Sequence, residues 1–164
     1  MRTIASMREL DDGRAAVRVE DVYETDIEDL WQACTTPDRL ARWIAEVSGD
    51  LSVGGAIQAR FTSSWEGSGR IDSCERPHHL SLTMTEAPGE QTEVEAWLTQ
   101  EGDKTRLVVE ERGLPLDKVH FYGAGWQAHL EDLTRSLAGH PSEWMARWTE
   151  LTPAYEAMQL STRP

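Results

Sequence analysis

Six apolar side chains toward the C-terminal end, Val119, Tyr122, Trp126, Leu130, Leu133 and Leu137, follow one another at intervals of three or four residues. An α-helix turns once in about 3.6 residues, so the six fall on one stripe of a long helix. Gly139 follows them, and a residue without Cβ suits the left-handed position after a helix end. A stripe of this length must be buried against something, and the preceding sequence says what. From Val47 to Arg112 the apolar residues recur at every second position, as in Ile57, Ala59 and Phe61, Leu80, Leu82 and Met84, Val94, Ala96 and Leu98, and Leu107 and Val109. Period two is the mark of half-buried antiparallel strands, so a meander of five or six strands is expected to cover the helix.

The rest of the chain adds smaller elements. Ile4–Leu10 and Arg14–Tyr23, separated by Asp11, Asp12 and Gly13, read as a hairpin. Asp26 suits an N-cap before a helix carrying Ile27, Leu30, Trp31 and Cys34, and Pro37 suits the first turn of a second short helix with Leu40, Trp43 and Ile44. Glu101, Gly102, Asp103 and Lys104 suit the turn of a last hairpin, and Gly67–Ile71 the entry to another strand. Gly123 and Gly125 each weaken the long helix by about 1 kcal/mol relative to alanine, which points to a close approach there or to a helix beginning near Gly125. Trp144, Trp148 and Leu151 predict a further helix after Pro141, stopped by Pro153. No linker divides the 164 residues, which read as one domain over 1–164, its core from about 4 to 139 and a helical extension over 140–164.

Charge narrows the partners. Sixteen basic against 29 acidic side chains give a net charge of −13, which disfavours nucleic acid and an anionic membrane surface. No apolar run approaches the roughly 18 residues of a membrane span. The opening segment carries Arg2, Arg8 and Glu9 and has no apolar stretch of the signal-peptide kind, so a cytoplasmic location is expected. Cys34 and Cys74 have no CxxC spacing and are expected as free thiols, small and buried.

Three segments carry a likeness to a known family. VYETDIEDLWQACTTPDRLARWIAEVSGDLSVGG resembles the N-terminal signature of the SRPBCC superfamily, in the branch similar to the C-terminal domain of the activator of Hsp90 ATPase. Trp31, Thr35, Pro37, Leu40, Trp43, Gly49, Gly54 and Gly55 carry that match. GSGRIDSCERPHHLSLTM resembles a later segment through Gly69, Ile71, Pro77 and Leu80, and GAGWQAHLEDLTRSLAG the C-terminal helix through Gly125, Trp126, Leu130, Leu133 and Leu137. The resemblance implies an α+β, helix-grip (Bet v 1-like) fold: a curved antiparallel sheet wrapped around a long C-terminal helix, with two short helices after the first strands. It also implies a cavity between sheet and helix, of the kind that holds an apolar small molecule in that superfamily.

The candidate site follows from the inward positions. Phe61, Ile71, Met84, Ala96, Val109, Trp126, His129 and Leu130 are expected to wall the cavity, and Glu111, in register with Leu107 and Val109, points inward with them. His129 lies near Trp126 on the helix, flanking the stripe. Trp31 and Trp43 are expected in the core. The acidic runs Glu90–Glu95 and Glu110–Glu111 read as solvated faces, apart from Glu111. His120 and His129 point to opposite sides of one helix, His78 and His79 lie in a loop, and His140 stands apart, so no metal site is expected. No GxSxG, phosphate loop or other nucleophile motif occurs, and no catalytic set or cofactor is expected.

The function these residues imply is non-catalytic binding of a small hydrophobic or aromatic molecule. Two alternatives use the same residues. One is a cavity enzyme of cyclase, dehydratase or hydrolase type with His129 or Glu111 as acid or base. The other is a protein-interaction or co-chaperone-like module, favoured by a filled interior. Trp144 and Trp148 suit either a homodimer contact or packing back on their own domain.

Overall fold

The computed structural model describes residues 3–87, 90–158 and 160; Arg2, one of the charges of the opening segment, lies outside them. Eight strands are present among these residues: β1 (Ile4–Glu9), β2 (Ala15–Tyr23), β3 (Ala45–Gly49), β4 (Ala56–Phe61), β5 (Glu66–Glu75), β6 (His79–Ala87), β7 (Glu90–Glu101) and β8 (Lys104–Leu114). Two short helices, α1 (Ile27–Thr35) and α2 (Pro37–Leu40), join β2 to β3, and α3 (Val119–Leu137) and α4 (Trp144–Ala157) follow the sheet. The strands form one antiparallel sheet in the order β1-β2-β8-β7-β6-β5-β4-β3. This is the curved open sheet around a long helix that defines the helix-grip fold.

Local chemistry sets the element ends. The Asp26 carboxylate accepts from the Asp29 N–H at 2.8 Å and caps α1, with Glu28 and Asp29 in the first turn. Pro37 opens α2, where its missing N–H costs nothing. Gly139 sits at φ +80°, the left-handed position past the end of α3.

The sheet closes on α3 through the expected stripe. Leu130 and Leu133 have no exposure, and Val17, Val19 and Leu107 pack in the same core. The Tyr23 hydroxyl donates to the Leu130 carbonyl at 2.9 Å and ties β2 to the middle of α3. On the outer face Glu110 departs from the solvated acid expected: it is buried beneath Arg8, with Arg112 at 3.1 Å. His79 opens β6 rather than lying in a loop, and its Nε2 meets Glu95 at 2.5 Å. Cys74 also departs from expectation, for it is exposed, whereas Cys34 is half-buried.

The C-terminal region holds two further corrections. The long helix begins at Val119, not near Gly125, and its glycines serve a close approach instead. At Gly123 a Cβ would come within 2.7 Å of the Tyr155 ring, and at Gly125 within 3.4 Å of Trp144. Helix α4 therefore lies directly on α3. It also runs through Pro153, which was expected to stop it. Proline removes one helical hydrogen bond and crowds the preceding turn, but packing outweighs that loss here: Tyr155, beyond the proline, is buried and donates to Gln127 Oε1 at 2.5 Å. At the other end the buried Asp132 carboxylate accepts from the Glu143 N–H at 2.9 Å and from the Ser142 hydroxyl. Arg147 pairs with Glu131 at 2.5 Å between these anchors.

The glycine contacts give a test of this packing. Gly125→Ala is expected to gain up to about 1 kcal/mol from helix propensity, because its methyl meets Trp144 at an ordinary contact distance. Gly123→Ala is expected to lose stability, because its methyl cannot enter without moving the Tyr155 ring. Thermal unfolding of the two variants decides, and equal gains in both would mean that α4 does not lie on α3 in this way.

Candidate functional site

Sheet and α3 do not meet everywhere. Between them, with α1, α2 and α4 closing the sides, lies a cavity of about 630 Å³. That is within the roughly 300–1,000 Å³ typical of small-molecule sites. Its walls are apolar and aromatic, and the exposed lining residues Leu51, Ser64, Cys74, Arg76 and Phe121 mark its rim.

The sheet supplies Phe61 from β4, Ile71 from β5, Met84 from β6, Ala96 from β7 and Val109 with Glu111 from β8, while α3 supplies Trp126 and His129. Leu130, grouped with them from the sequence, does not border the cavity; it is fully buried, and its backbone carbonyl accepts from Tyr23 of β2. The helical stripe is wider than the cavity, and only one flank of it meets open space. Trp31 and Trp43, expected in the core, are 2% and 3% exposed and border the cavity as well. Trp65, Leu80, Leu82, Tyr122, Trp144 and Trp148 also line it. Leu80 and Leu82 share the alternation of Met84, and Tyr122 lies one turn before Trp126, so these could have been read from period; nothing local marks Trp65.

Titratable groups stand in this apolar wall, Glu111, Tyr122 and His129 among them. Glu111 Oε1 accepts from Trp126 Nε1 at 2.8 Å and Oε2 from the Thr92 hydroxyl at 2.7 Å. Burial pushes its carboxyl up, and the two donors restrain the rise by stabilising the anion. Tyr122, nearby on α3, has its hydroxyl pKa raised by burial and further by Glu111.

His129 is held in an aromatic nest, with ring centroids 5.9 Å from Phe61, 5.6 Å from Trp126 and 5.5 Å from Trp144. Burial drives its pKa down to about 3, against a weaker opposing effect of the Trp43 backbone, so the ring is neutral at pH 7. Its Nδ1 is buried without a hydrogen-bond partner among the described residues. His120 lies elsewhere, paired with Glu156 at 3.4 Å. Among the described residues no group of three or more His, Cys, Asp or Glu side chains could hold a metal ion. No helix among them is long and apolar enough to cross a membrane.

Trp144 and Trp148 take the inward of their two expected placements. Trp144 is 6% exposed, and its Nε1 donates to the Gly125 carbonyl at 3.0 Å; Trp148 Nε1 donates to the Phe121 carbonyl at 3.0 Å. Trp144 is thus packed on its own domain, and Trp148 is half-buried beside it.

A gripped helix over a lined cavity places the chain among the helix-grip proteins of the SRPBCC superfamily. Within it, the chain belongs to the family described as Activator of Hsp90 ATPase homolog 1-like protein, which matches residues 24–138. The crystal structure of CalU16 from Micromonospora echinospora is similar at 29% identity and a TM-score of 0.75, covering 96% of this chain and 98% of that one. DynU16, a protein of the dynemicin biosynthetic locus, is 27% identical with a TM-score of 0.71, covering 77% of this chain and 49% of that one. The Aha1 dimer from Colwellia psychrerythraea, at 19% identity and a TM-score of 0.65 over 74% of this chain and 95% of that one, shares the fold. Comparison with curated proteins gives no match.

Proposed function

We propose that this protein binds a small apolar or aromatic molecule in the cavity between the sheet and α3, without catalysing a reaction on it. The observation that carries this reading is an interior left open, with about 630 Å³ of space inside a wall of aliphatic and aromatic side chains. An open interior of this kind offsets poorly the core packing it forgoes, since close-packed interiors are the rule. Occupation by a ligand would restore those contacts. Phe61, Ile71, Met84, Ala96, Val109, Trp126 and His129 form the binding wall in this reading, with Glu111 as its polar anchor. The free thiols Cys34 and Cys74 fit a reducing, cytoplasmic setting.

The rival enzymatic reading draws on Glu111, the carboxyl that faces the cavity. Its two oxygens already hold Trp126 and Thr92, which suits a fixed acceptor more than a mobile proton carrier. His129, with a pKa near 3, is a weak base at neutral pH. The co-chaperone-like reading draws on the family's name alone, and a filled interior, which would favour it, is not what this chain has.

Six of the seven tryptophans border the cavity, so ligand uptake should be visible in intrinsic fluorescence. Protein purified gently from its own host and sprayed under native conditions is expected to carry an extra mass that denaturation removes. Adding that compound back to the stripped protein should quench or shift the tryptophan emission. A bare chain mass, with no emission change across a panel of apolar compounds, would count against a ligand-carrying role.

A further inference from the structure

The geometry points to a flat aromatic ligand, selected by α4. The inference rests on the binding reading above and narrows it. Helix α4 lies beyond residue 138, where the family match ends, so family membership does not carry the wall that α4 supplies.

Trp144 and Trp148 stand one turn apart on α4, and their ring nitrogens donate to the carbonyls of Gly125 and Phe121, one turn apart on α3. The two bonds hold both indoles in fixed positions, and the Asp132 and Tyr155 anchors hold α4 itself. The Trp144 and Trp148 rings stack with centroids 5.5 Å apart and planes 14° apart. His129 continues the row 5.5 Å from Trp144, and Phe121 lies 5.8 Å from Trp148, each tilted by 33°. All four side chains line the cavity.

This column determines what a ligand can gain there. The N–H groups of Trp144 and Trp148 are bonded to α3, and that of Trp126 to Glu111, so these indoles have no donor left to offer. With a face of Trp144 against Trp148 and both ring nitrogens turned to α3, the two indoles offer the cavity ring carbon and no hydrogen-bonding group. Ring rims carry the positive part of the aromatic quadrupole and attract the negative face of another ring. A saturated chain of equal size gains only the burial of its area. The column therefore discriminates between the two classes by shape and by ring electrostatics.

The test uses two alcohols matched in carbon count, 2-naphthol and 1-decanol, titrated calorimetrically into the full chain. Trp148→Leu keeps an apolar side chain but removes the ring. It is expected to weaken 2-naphthol roughly 3- to 10-fold while changing 1-decanol less than about twofold. Trp148→Phe should recover most of the loss, and Phe121→Leu, at the 39% exposed end of the column, should repeat it without disturbing the core. Equal losses for both alcohols, or no loss for 2-naphthol, would overturn the inference. Uptake of 1-decanol without uptake of 2-naphthol by the unaltered protein would overturn it too and leave the binding reading standing. If neither alcohol binds the unaltered protein, the binding reading fails and takes this inference with it.

Discussion

Shortening Leu130 to alanine is expected to cost about 2–5 kcal/mol of stability and to leave ligand affinity unchanged. Leu130 has no exposure, belongs to the close-packed core and does not border the cavity. Removing its side chain opens a void in a close-packed region, where the loss of contacts adds to the loss of burial. For a domain of this size each kcal/mol moves the unfolding midpoint by about 2–4 °C, so a drop of the order of 10 °C is expected. Trp126→Ala is the converse case. It widens the cavity, removes the donor to Glu111 Oε1 and should weaken binding directly. Thermal unfolding and ligand titration of both variants make the comparison. A Leu130→Ala protein that keeps its midpoint but loses its ligand would reverse the placement of the two side chains on α3.

Acid is expected to act on this protein through His129. An imidazole with an ordinary pKa of 6.5 when unfolded and about 3 when folded binds a proton more readily in the unfolded chain. Its contribution is fully present above pH 6.5 and is lost as the pH falls from there toward 3. Each pH step in that window costs about 1.4 kcal/mol, so a fall from 6.5 to 4 should remove about 3 kcal/mol. Asp132 and Glu111, whose carboxyls are pushed up by burial, act with the opposite sign and lose stability as the pH rises past the carboxylate range. They are common to both proteins in a comparison with His129→Leu. Urea midpoints from pH 7 to 4 should fall more steeply for the unaltered protein than for the variant. Parallel curves would mean that His129 titrates in the folded protein as it does in water.

These two residues also show how far the sequence could be read. The stripe from Val119 to Leu137 established the helix, and alternation along the strands established which side chains face it. Glu111 could be placed inward because it keeps step with Leu107 and Val109. Period says which way a side chain faces and is silent on whether the space it faces is filled. That is why Leu130 and Trp126, four residues apart on one stripe, look alike in the sequence and differ in the structure, where only Trp126 borders the cavity.

The part played by α4 was harder still. Its rings meet α3 across a chain reversal, Tyr155 at Gly123 and Trp144 at Gly125, and only the two glycines inside the stripe point to a close approach. Local rules make Pro153 a stop. The burial of Tyr155 beyond it has no local signature, and it decides the outcome.

The ladder between β2 and β8 joins residues from Ala15↔Leu114 to Tyr23↔Thr105, positions more than eighty residues apart. During synthesis the first hairpin and the short helices therefore emerge long before the strand that completes their side of the sheet. Until β8 arrives, β2 presents an unpaired edge, and α3, which fills the grip, comes later again. Pairings of such long range are closed slowly, on the millisecond-to-second scale of strand-rich domains. The cavity, whose walls come from the strands and from α3 and α4, is therefore complete only once the segment up to α4 has been made.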